Sequence, residues 1–485
     1  MKKNILLLFT DQQRFDTIRN PSLQTPNLDA LCAAGVCFTR TFTPAPVCVP
    51  ARLSMMYGIY PRSSGCTDNE GCDMGYKKNI FQILGENGYY THGIGKMHFS
   101  DDLYGLHGFT KRETQEEIIG RKSVNNVNTF DDYRKYLDDN GYTNVFDHHG
   151  QRSEMYYIPQ ISQLPAKHHP TQWIGDRSVE FINSYNQDNP FLLMSSFVHP
   201  HPPFAPPTPW NKLYRMLDMS PPFVPENSES LLTYHNKVQN RYKCLDDGIN
   251  NYTLKTLKAY YYACISFIDY QIGRITAALK DKGIYDDTLI IFTSDHGEML
   301  GDYNCFGKRT MLDSACRIPL IVKGENFKAG SLCDNPASLV DIMPTILSYS
   351  GIDYLNEKLE GQDLCKVAKD ETSRKYVFSQ YSKGDSSLYM IASKHEKYIY
   401  SVPDNKDIYF GDNGKEEKNQ YTKTDKKAAE LKAALLTEYL HEKDFPKTDP
   451  KEFSDDKSKG HIFQDQSGMR EKESIIPDGY HVNLK

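Results

Sequence analysis

The sequence predicts an α/β protein in which helices flank a doubly wound, mostly parallel central sheet. Two observations predict this class. Short uninterrupted apolar runs, typical of strands buried on both faces, alternate with helical segments up to about residue 370, and polar residues follow directly after several runs. Beyond that point, short strands and one amphipathic helix indicate a small α+β subdomain. We therefore expect an α/β domain over residues 1–372 and a subdomain over residues 373–485, ending in a surface-wrapping tail.

The composition is that of a soluble globular chain of 485 residues with a net charge of −6. Bulk electrostatics therefore gives no support to nucleic-acid binding, and an anionic ligand would need a local cationic pocket. No stretch approaches the ~20 apolar residues of a membrane span. The apolar run at residues 5–9 is too short for the core of a signal peptide, and Asp11 follows it closely. We expect a cytoplasmic protein with no membrane partner.

The eleven cysteines have no regular spacing. No Cys-x-x-Cys pair is present, which argues against a zinc knuckle or a thioredoxin motif. Scattered cysteines on a long chain fit a reducing compartment better than a disulfide framework.

The first predicted strand, residues 4–10, ends in Asp11 and Gln12, at the position where open α/β sheets bind ligands. After a predicted helix and a strand at residues 36–42 comes Cys48-Val49-Pro50-Ala51-Arg52, in which the proline suits the first turn of a helix. The thiol would then lie at a helix N-terminus, where the dipole favours an anion, with the arginine one turn later. A reactive centre beside an oxyanion site and a buried structural cysteine are equally good interpretations of this motif alone.

Three further strand ends carry polar groups. A strand at residues 89–95 leads to Lys96 and His98, and both side chains face one way if the strand continues. A strand at 190–197 leads to His199 and His201 in a rigid proline-rich loop, and a strand at 288–293 leads to Asp295 and His296. The remaining predicted elements are irregular insertions at about 101–170 and 205–250, helices at 25–34, 80–87, 171–186, 254–280, 338–351 and 424–442, and strands at 318–322, 375–381, 387–393 and 398–401.

In a doubly wound sheet these strand ends converge on one crevice. Asp11, Gln12, Asp295 and His296 would supply three oxygen ligands and one imidazole, a set that suits a hard divalent cation. Positive donors come from a second set, Arg52, Lys96, His98, His201 and Lys308. A cation beside several basic side chains is the environment that an oxyanion such as sulfate or phosphate requires.

These motifs together resemble the type I sulfatases of the alkaline-phosphatase superfamily. The maturation motif C/S-x-P-S/A-R matches Cys48 to Arg52, while its following x-x-L-x-T-G departs at Met55 and Tyr57. Further matching blocks are Thr25-Pro26-Asn27-Leu28-Asp29, Gly95-Lys96-Met97-His98, His201-Pro202-Pro203, Thr293-Ser294-Asp295-His296-Gly297-Glu298, Gly307-Lys308 and Asp341-Ile342-Met343-Pro344-Thr345. The resemblance covers residues 3 to 365 and implies an alkaline-phosphatase-like fold.

The resemblance also implies the chemistry. In the family the cysteine is converted to Cα-formylglycine by a maturase, a transient partner here, and one hydroxyl of its hydrate attacks sulfur. The other hydroxyl is then deprotonated so that the sulfate ester collapses to aldehyde and sulfate, with assistance from a metal. That metal would be held by Asp11, Gln12, Cys48, Asp295 and His296, with Ca2+ expected and Mg2+ or Mn2+ as alternatives.

By the same resemblance, each basic residue receives a role. Arg52 would stabilise the hydrated aldehyde, and Lys96 and Lys308 would bind sulfate oxygens. His201 and Lys308 would face the leaving oxygen as acids, and His98 would act as a base in formylglycine turnover. His199 is expected to be structural, and neither His168 nor His169 is expected to reach substrate.

Two departures concern the substrate, which we expect to be a small sulfated molecule. Most sulfatases carry Asp-Asp and Asp-Asn where this chain has Asp11-Gln12 and Asp295-His296. This variant is similar to the branch that contains choline sulfatases, phosphonate monoester hydrolases and bacterial glycosaminoglycan sulfatases. The polar insertions favour a carbohydrate sulfate. A phosphonate or phosphodiester monoester hydrolase, a choline sulfatase and a non-catalytic binding protein on a sulfatase scaffold stay open as alternatives.

Overall fold

The computed structural model describes residues 3–70, 72, 77–100, 102–117, 131–145, 147–152, 155–237, 249–354, 357–372, 374–411 and 416–440. The strands of these residues are β1 (Asn4–Thr10), β2 (Val36–Phe38), β3 (Thr41–Phe42), β4 (Tyr90–Gly95), β5 (Lys111–Thr114), β6 (Phe191–Ser196), β7 (Thr288–Ser294), β8 (Leu320–Lys323), β9 (Ser331–Cys333), β10 (Ala337–Ser338), β11 (Val377–Tyr381), β12 (Leu388–Ala392), β13 (Lys397–Ser401) and β14 (Lys406–Phe410).

The helices of the same residues lie mostly between these strands. They are α1 (Pro26–Ala34), α2 (Cys48–Tyr57), α3 (Pro61–Ser64), α4 (Ile80–Glu86), α5 (Asp132–Asp139), α6 (Pro170–Ser184), α7 (Asn251–Asp281), α8 (Asp313–Cys316), α9 (Ile342–Tyr349), α10 (Leu364–Ala368) and α11 (Lys426–Ala434), with a π-helical turn at Leu435–Leu440. Among the described residues, no helix is long and apolar enough to cross a membrane.

The central sheet has eight strands in the order β5-β4-β6-β1-β7-β8-β2-β9. Every adjacent pair is parallel except those that β8 makes with β7 and β2, so β8 alone of the eight runs against the others. The expected doubly wound, mostly parallel sheet is confirmed. Because the long parallel crossovers are helical, both faces of the sheet are covered.

The alternation of side chains in β1 explains its uninterrupted apolar run. Ile5, Leu7 and Phe9 pack into a core with α2 and α4 on one face. Leu6 and Leu8 pack into a second core with α1, α6 and α7 on the opposite face. A strand buried on both faces has no solvent side on which polar residues would be tolerated.

The C-terminal part is a four-stranded antiparallel sheet in the order β11-β12-β13-β14. One face packs against the α/β domain through residues such as Val377 and Phe42. The other face is covered by α11 through Ala428 and Leu431. The strand β14 had not been predicted, and the expected surface-wrapping tail lies outside the described residues from residue 441 on.

The structure corrects three other expectations. The insertion at about 101–170 is less irregular than predicted, since it supplies the edge strand β5 and the capped helix α5. The strand predicted at 36–42 is divided into β2 and β3, which belong to different sheets. Cys66 and Cys72, six residues apart, form a disulfide, against the expectation drawn from cysteine spacing. A bridge this local is set by one loop and needs no framework of regularly spaced cysteines.

Candidate active site

The carboxyl ends of four parallel strands meet at one edge of the central sheet. Phe9 of β1 pairs with Ser196 of β6 and with Thr293 of β7, and Gly95 of β4 pairs with Ser196. The residues that follow these strands therefore emerge side by side. In this way the sheet brings together Asp11 and Gln12, Lys96, His201, and Asp295 and His296, as the sequence predicts.

Helix α2 supplies the remaining member of this edge. Cys48 is its first residue, is 1% exposed, and is followed by Pro50 in the first turn, where the missing N–H costs nothing. The Val49 N–H lies in the first turn and has no acceptor within the helix, and it donates instead to Asn69 Oδ1 at 3.1 Å. The helix ends at Gly58, whose positive φ of 63° closes it in the left-handed region.

Four buried donor groups converge on one point. Donor atoms of Asp11, Cys48, Asp295 and His296 all lie within 4.8 Å of one another. His296 Nδ1 is 3.0 Å from the Gly297 carbonyl, to which it donates, so Nε2 presents its lone pair to the cluster. These residues are four of the five predicted metal ligands, and their two carboxylates with one imidazole suit a hard divalent cation.

The predicted fifth ligand, Gln12, lies at the same point through an unusual backbone. Its φ of 68° places it in the left-handed region, where its N–H donates to Asp295 Oδ1 at 3.0 Å and its carbonyl accepts from Tyr261 at 2.9 Å. The amide nitrogen of its side chain donates to the Glu298 carboxylate. The amide oxygen therefore faces the cluster, where it accepts from Lys308 at 3.0 Å.

The ammonium of Lys308 already contacts this donor set. Its Nζ is 2.8 Å from Cys48 Sγ and 3.1 Å from His296 Nε2, besides the bond to Gln12. The donors thus converge on a position that a positive charge occupies. Lys308 is 5% exposed, and its loop begins at Gly307, which has a φ of 78°.

Arg52 fixes the orientation of the Asp11 and Asp295 carboxylates through hydrogen bonds. Its guanidinium donates to Asp295 Oδ2 at 2.9 Å and to Asp11 Oδ2 at 3.2 Å, and further to the Lys96 carbonyl and to Ser196 Oγ. Because its side chain is only 2% exposed, these charge-assisted bonds lie in a low dielectric and are strong. The planar fork of arginine matches two carboxylates at once, which a lysine would not.

Lys96 and His201 form the opposite wall of the site. Lys96 Nζ is 2.6 Å from Asp11 Oδ2 and also contacts the Glu117 carboxylate. His201 Nε2 is 3.2 Å from Glu117 Oε1, and Arg152 Nη2 is 2.6 Å from the same oxygen. Neither Glu117 nor Arg152 was singled out in the sequence, because both lie in the insertion, far from any recognisable motif.

The basic side chains around the cluster favour the negatively charged forms of Asp11 and Cys48. Burial alone would raise the pKa of Asp11, but Lys96, His201, Lys308 and Arg52 hold this pKa well below its ordinary value. Burial and Asp11 likewise raise the pKa of the Cys48 thiol, whereas Lys308 and Lys96 lower it more strongly, leaving it well below the ordinary value. The position of Cys48 is therefore one that stabilises negative charge.

The backbone at His98 differs from the strand continuation that the sequence predicts, and the role of this residue stays a prediction. The strand β4 ends at Gly95, so the alternation that would have aligned Lys96 with His98 stops there. His98 has a φ of 59°, and its backbone N–H faces the Glu116 carboxylate. In the part of the chain that the structure describes, its Nδ1 has no hydrogen-bond partner.

The other histidines lie outside the donor cluster. The ring of His199 packs 4.9 Å from that of His169 and 5.5 Å from that of His149, and burial lowers the pKa of His199 to about 4. His168 Nδ1 is 2.8 Å from the Tyr136 hydroxyl. The assignment of His199 to a packing role and the exclusion of His168 and His169 stay predictions.

A mostly parallel sheet with carboxylate, imidazole and basic side chains gathered at its carboxyl edge is the arrangement expected for a hydrolase of the alkaline phosphatase superfamily. Residues 3–352 match the model of the family described as Sulfatase. The chain is 30% identical over 433 residues to an arylsulfatase of Clostridium perfringens (strain 13 / Type A), covering 84% of this chain and 88% of that one. The chain therefore belongs to the sulfatase family, and it is an enzyme of this family.

Two other similarities place it within the superfamily. A choline-sulfatase of Rhizobium meliloti (strain 1021) is 26% identical, covering 84% of this chain and 80% of that protein. The solved structure of the phosphonate monoester hydrolase SpPMH from Silicibacter pomeroyi has the same fold, with a TM-score of 0.75 at 22% identity, covering 92% of this chain and 96% of that one. The roles of the individual site residues stay predictions.

Proposed function

We propose that this enzyme hydrolyses the sulfate ester of a small substrate and releases inorganic sulfate, with a formylglycine hydrate made from Cys48 as the nucleophile. The observation that carries the proposal is the setting of Cys48. It begins a helix, is buried, lies within 4.8 Å of carboxylate and imidazole donors, and is 2.8 Å from the Lys308 ammonium. A hydrated aldehyde at this position has an oxygen beside a cation site and an oxyanion pocket next to it.

Asp11, Gln12, Asp295 and His296 would hold the divalent cation, which we propose to be Ca2+, with Mg2+ or Mn2+ as alternatives. The fit rests on their chemistry: three oxygen donors and one imidazole whose Nε2 lone pair faces the cluster, because Nδ1 donates to the Gly297 carbonyl. A cation bound there supplies Lewis-acid charge next to the nucleophile and the sulfate. Arg52 fixes both carboxylates in the orientation that this ligand set requires.

The protein's own residues bind the sulfate and the leaving oxygen. Lys96 and Lys308 present ammonium groups at the edge of the donor cluster, where sulfate oxygens would lie. His201 donates through Nδ1 to the Pro202 carbonyl at 2.7 Å, so Nε2 faces the site and, when protonated, would donate to the leaving oxygen as a general acid. His98 is proposed as a base in formylglycine turnover, although its ring makes no hydrogen bond through Nδ1 within the described residues.

We further propose that the substrate is a carbohydrate sulfate, such as a glycosaminoglycan-derived mono- or disaccharide. Support comes from the insertion beside the site, which carries aromatic and hydrogen-bonding groups such as Tyr156, next to His201, and Arg152, next to Glu117. A panel of sulfated mono- and disaccharides beside choline sulfate tests this. Turnover of choline sulfate with no turnover of any sugar sulfate would refute the carbohydrate assignment.

A second candidate function is that of a phosphonate or phosphodiester monoester hydrolase that uses the same centre. The pairs Asp11-Gln12 and Asp295-His296 favour it, and the fold is shared with a phosphonate monoester hydrolase. Parallel assays with an aryl sulfate and a phenyl phosphonate ester separate the two functions. A kcat/KM higher for the phosphonate would make the sulfate ester the secondary substrate.

The nucleophile is tested by mass spectrometry of the Cys48 peptide together with turnover of Cys48→Ala. We expect the native peptide to carry the aldehyde mass and the variant to lose turnover, by roughly 10³-fold or more as for other covalent centres. Verified removal of the metal with a chelator should also abolish sulfate release, and re-addition of Ca2+ should restore it. Wild-type activity in Cys48→Ala would exclude the proposed nucleophile, and an unmodified Cys48 in the native host would favour a non-catalytic binding protein.

A further inference from the structure

A buried carboxylate with no part in the proposed chemistry lies among the cationic groups of the site. Glu117 Oε1 is 3.2 Å from His201 Nε2 and 2.6 Å from Arg152 Nη2, and its Oε2 contacts Lys96 Nζ. The two oxygens of one anionic group therefore bridge Lys96 and His201. These are the side chains assigned above to the sulfate oxygens and the leaving oxygen.

Both of these side chains also donate elsewhere. His201 uses Nδ1 for the Pro202 carbonyl at 2.7 Å, so Nε2 is the ring nitrogen left for a substrate. Lys96 already donates to Asp11 Oδ2 at 2.6 Å. A sulfate oxygen that reached Lys96 and His201 would thus compete with Glu117 for the same donors.

The carboxylate is charged where it lies. Burial would raise the pKa of Glu117, but His201, Lys96 and Arg152 hold it well below the ordinary value. Two anions in contact within a buried pocket repel each other strongly. A bound sulfate group and the Glu117 carboxylate therefore do not share the space between Lys96 and His201.

We propose that Glu117 occupies the oxyanion position between Lys96 and His201 in the ligand-free enzyme and is displaced by the sulfate group of the substrate. The proposal rests on the proposed function, which supplies the sulfate group. Glu117 compensates the buried positive charge of Lys96, which would otherwise destabilise the fold. On displacement it keeps a partner, because Arg152 contacts the same carboxylate.

The direction of displacement follows from exposure. The side chains of Lys96 and His201 are 0% and 3% exposed, that of Glu117 8%, and that of Arg152 13%. Solvent therefore lies on the Arg152 side, and the carboxylate moves toward it. The inner wall stays closed to water.

Displacement also discriminates between substrate and product. A sulfate monoester carries one negative charge, whereas the released inorganic sulfate carries two. Glu117 repels the dianion more strongly than the monoanion, so it weakens product binding more than substrate binding. Its presence therefore favours product release.

The test is the affinity of the metal-loaded enzyme for inorganic sulfate. It is measured as the inhibition constant against 4-nitrophenyl sulfate and directly by calorimetry. Glu117→Gln keeps the shape and removes the charge, so we expect sulfate to bind about tenfold more tightly, with a smaller decrease in KM. Glu113→Gln is the matched control, because Glu113 is also a buried carboxylate paired with a histidine and an arginine, His92 and Arg177, but outside the site.

Unchanged or weaker sulfate binding in Glu117→Gln would overturn the proposal, because a carboxylate that merely positions Lys96 and His201 would lower sulfate affinity when removed. If Glu117→Gln does not fold, as judged by thermal denaturation, Glu117→Asp takes its place. The shorter carboxylate keeps its charge but does not span both partners, and sulfate should bind several-fold more tightly. If Glu117→Gln binds sulfate more tightly but the wild-type enzyme cleaves no sulfate ester, the proposed function is refuted and the displacement proposal stands.

Discussion

Replacing Glu298 by glutamine tests how the predicted metal ligand Gln12 is oriented. The Glu298 carboxylate is fully buried and accepts four hydrogen bonds. Its Oε1 accepts from the backbone N–H groups of Leu300 at 2.9 Å and Gly307 at 2.6 Å. Its Oε2 accepts from the Tyr157 hydroxyl at 3.0 Å and from the side-chain amide of Gln12.

In Glu298→Gln one oxygen becomes an NH2 group. The two backbone donors do not rotate, so the amide oxygen stays on their side and the NH2 group faces Gln12 and Tyr157. The hydroxyl can turn to accept, but Gln12 must flip its amide to avoid two opposed donors. The flip directs the Gln12 nitrogen into the metal site in place of its oxygen.

The expected loss is mainly in metal affinity. Outer groups that orient a ligand are typically worth about 10–100-fold in affinity, and here the ligand atom itself is replaced. The free energy of unfolding should also fall, by about 2 kcal/mol, because the charge-assisted bonds of the carboxylate are replaced by weaker neutral ones. Isothermal titration with Ca2+ measures the first quantity and urea denaturation of the metal-free protein measures the second.

Tyr157→Phe is the control for this experiment. It removes one hydrogen bond to the same carboxylate oxygen but does not replace an acceptor by a donor. The free energy of unfolding should therefore fall by about 1 kcal/mol, and Ca2+ affinity should stay within about threefold of the wild type. The reasoning is refuted if Glu298→Gln binds Ca2+ as tightly as the wild type, or if Tyr157→Phe weakens binding equally.

Two other substitutions have expected outcomes. Burial raises the pKa of Asp131 from 3.8 to about 7. The contribution of this group to the free energy of unfolding is therefore highest below about pH 4 and falls as the pH rises to 7. At about 1.4 kcal/mol per pH unit this amounts to about 4 kcal/mol. Asp131→Asn, which keeps the cap on the Arg134 N–H, should raise stability at pH 8 but not at pH 4; parallel pH profiles would contradict this. Arg52→Lys should lower the free energy of unfolding by about 3 kcal/mol, because one ammonium does not satisfy both Asp11 and Asp295; an unchanged urea midpoint would exclude this.

The α/β architecture was predictable from local pattern. The run at β1 is apolar on both faces because two separate cores cover it, and a short apolar run of this kind is typical of a central strand in a covered sheet. The direction of β8 was not predictable. A short apolar strand has the same pattern whether its neighbours are parallel or antiparallel, because direction is set by the connections that pack around it.

The candidate site was predictable where its residues follow strands or lie in a recognisable motif. Asp11, Cys48, Asp295 and His296 meet within 4.8 Å, although the first and the last two lie at opposite ends of the α/β domain in sequence. The expected alignment of His98 with Lys96 required the strand to continue, but β4 ends three residues before His98, which has a positive φ; the role of His98 stays a prediction. A periodicity argument holds only as far as the element continues.

Residue order alone was enough to predict the class of sheet, the strand ends that carry polar side chains and the types of ligand. Those properties depend on side-chain hydrophobicity, on period and on which atoms a residue can offer. Only the tertiary structure decided that Glu117 and Arg152 from the insertion lie against Lys96 and His201, and that Glu298 orients Gln12. Such partners have no sequence signal, because contacts between distant segments depend on the packing of the whole chain and on the need to pair each buried charge.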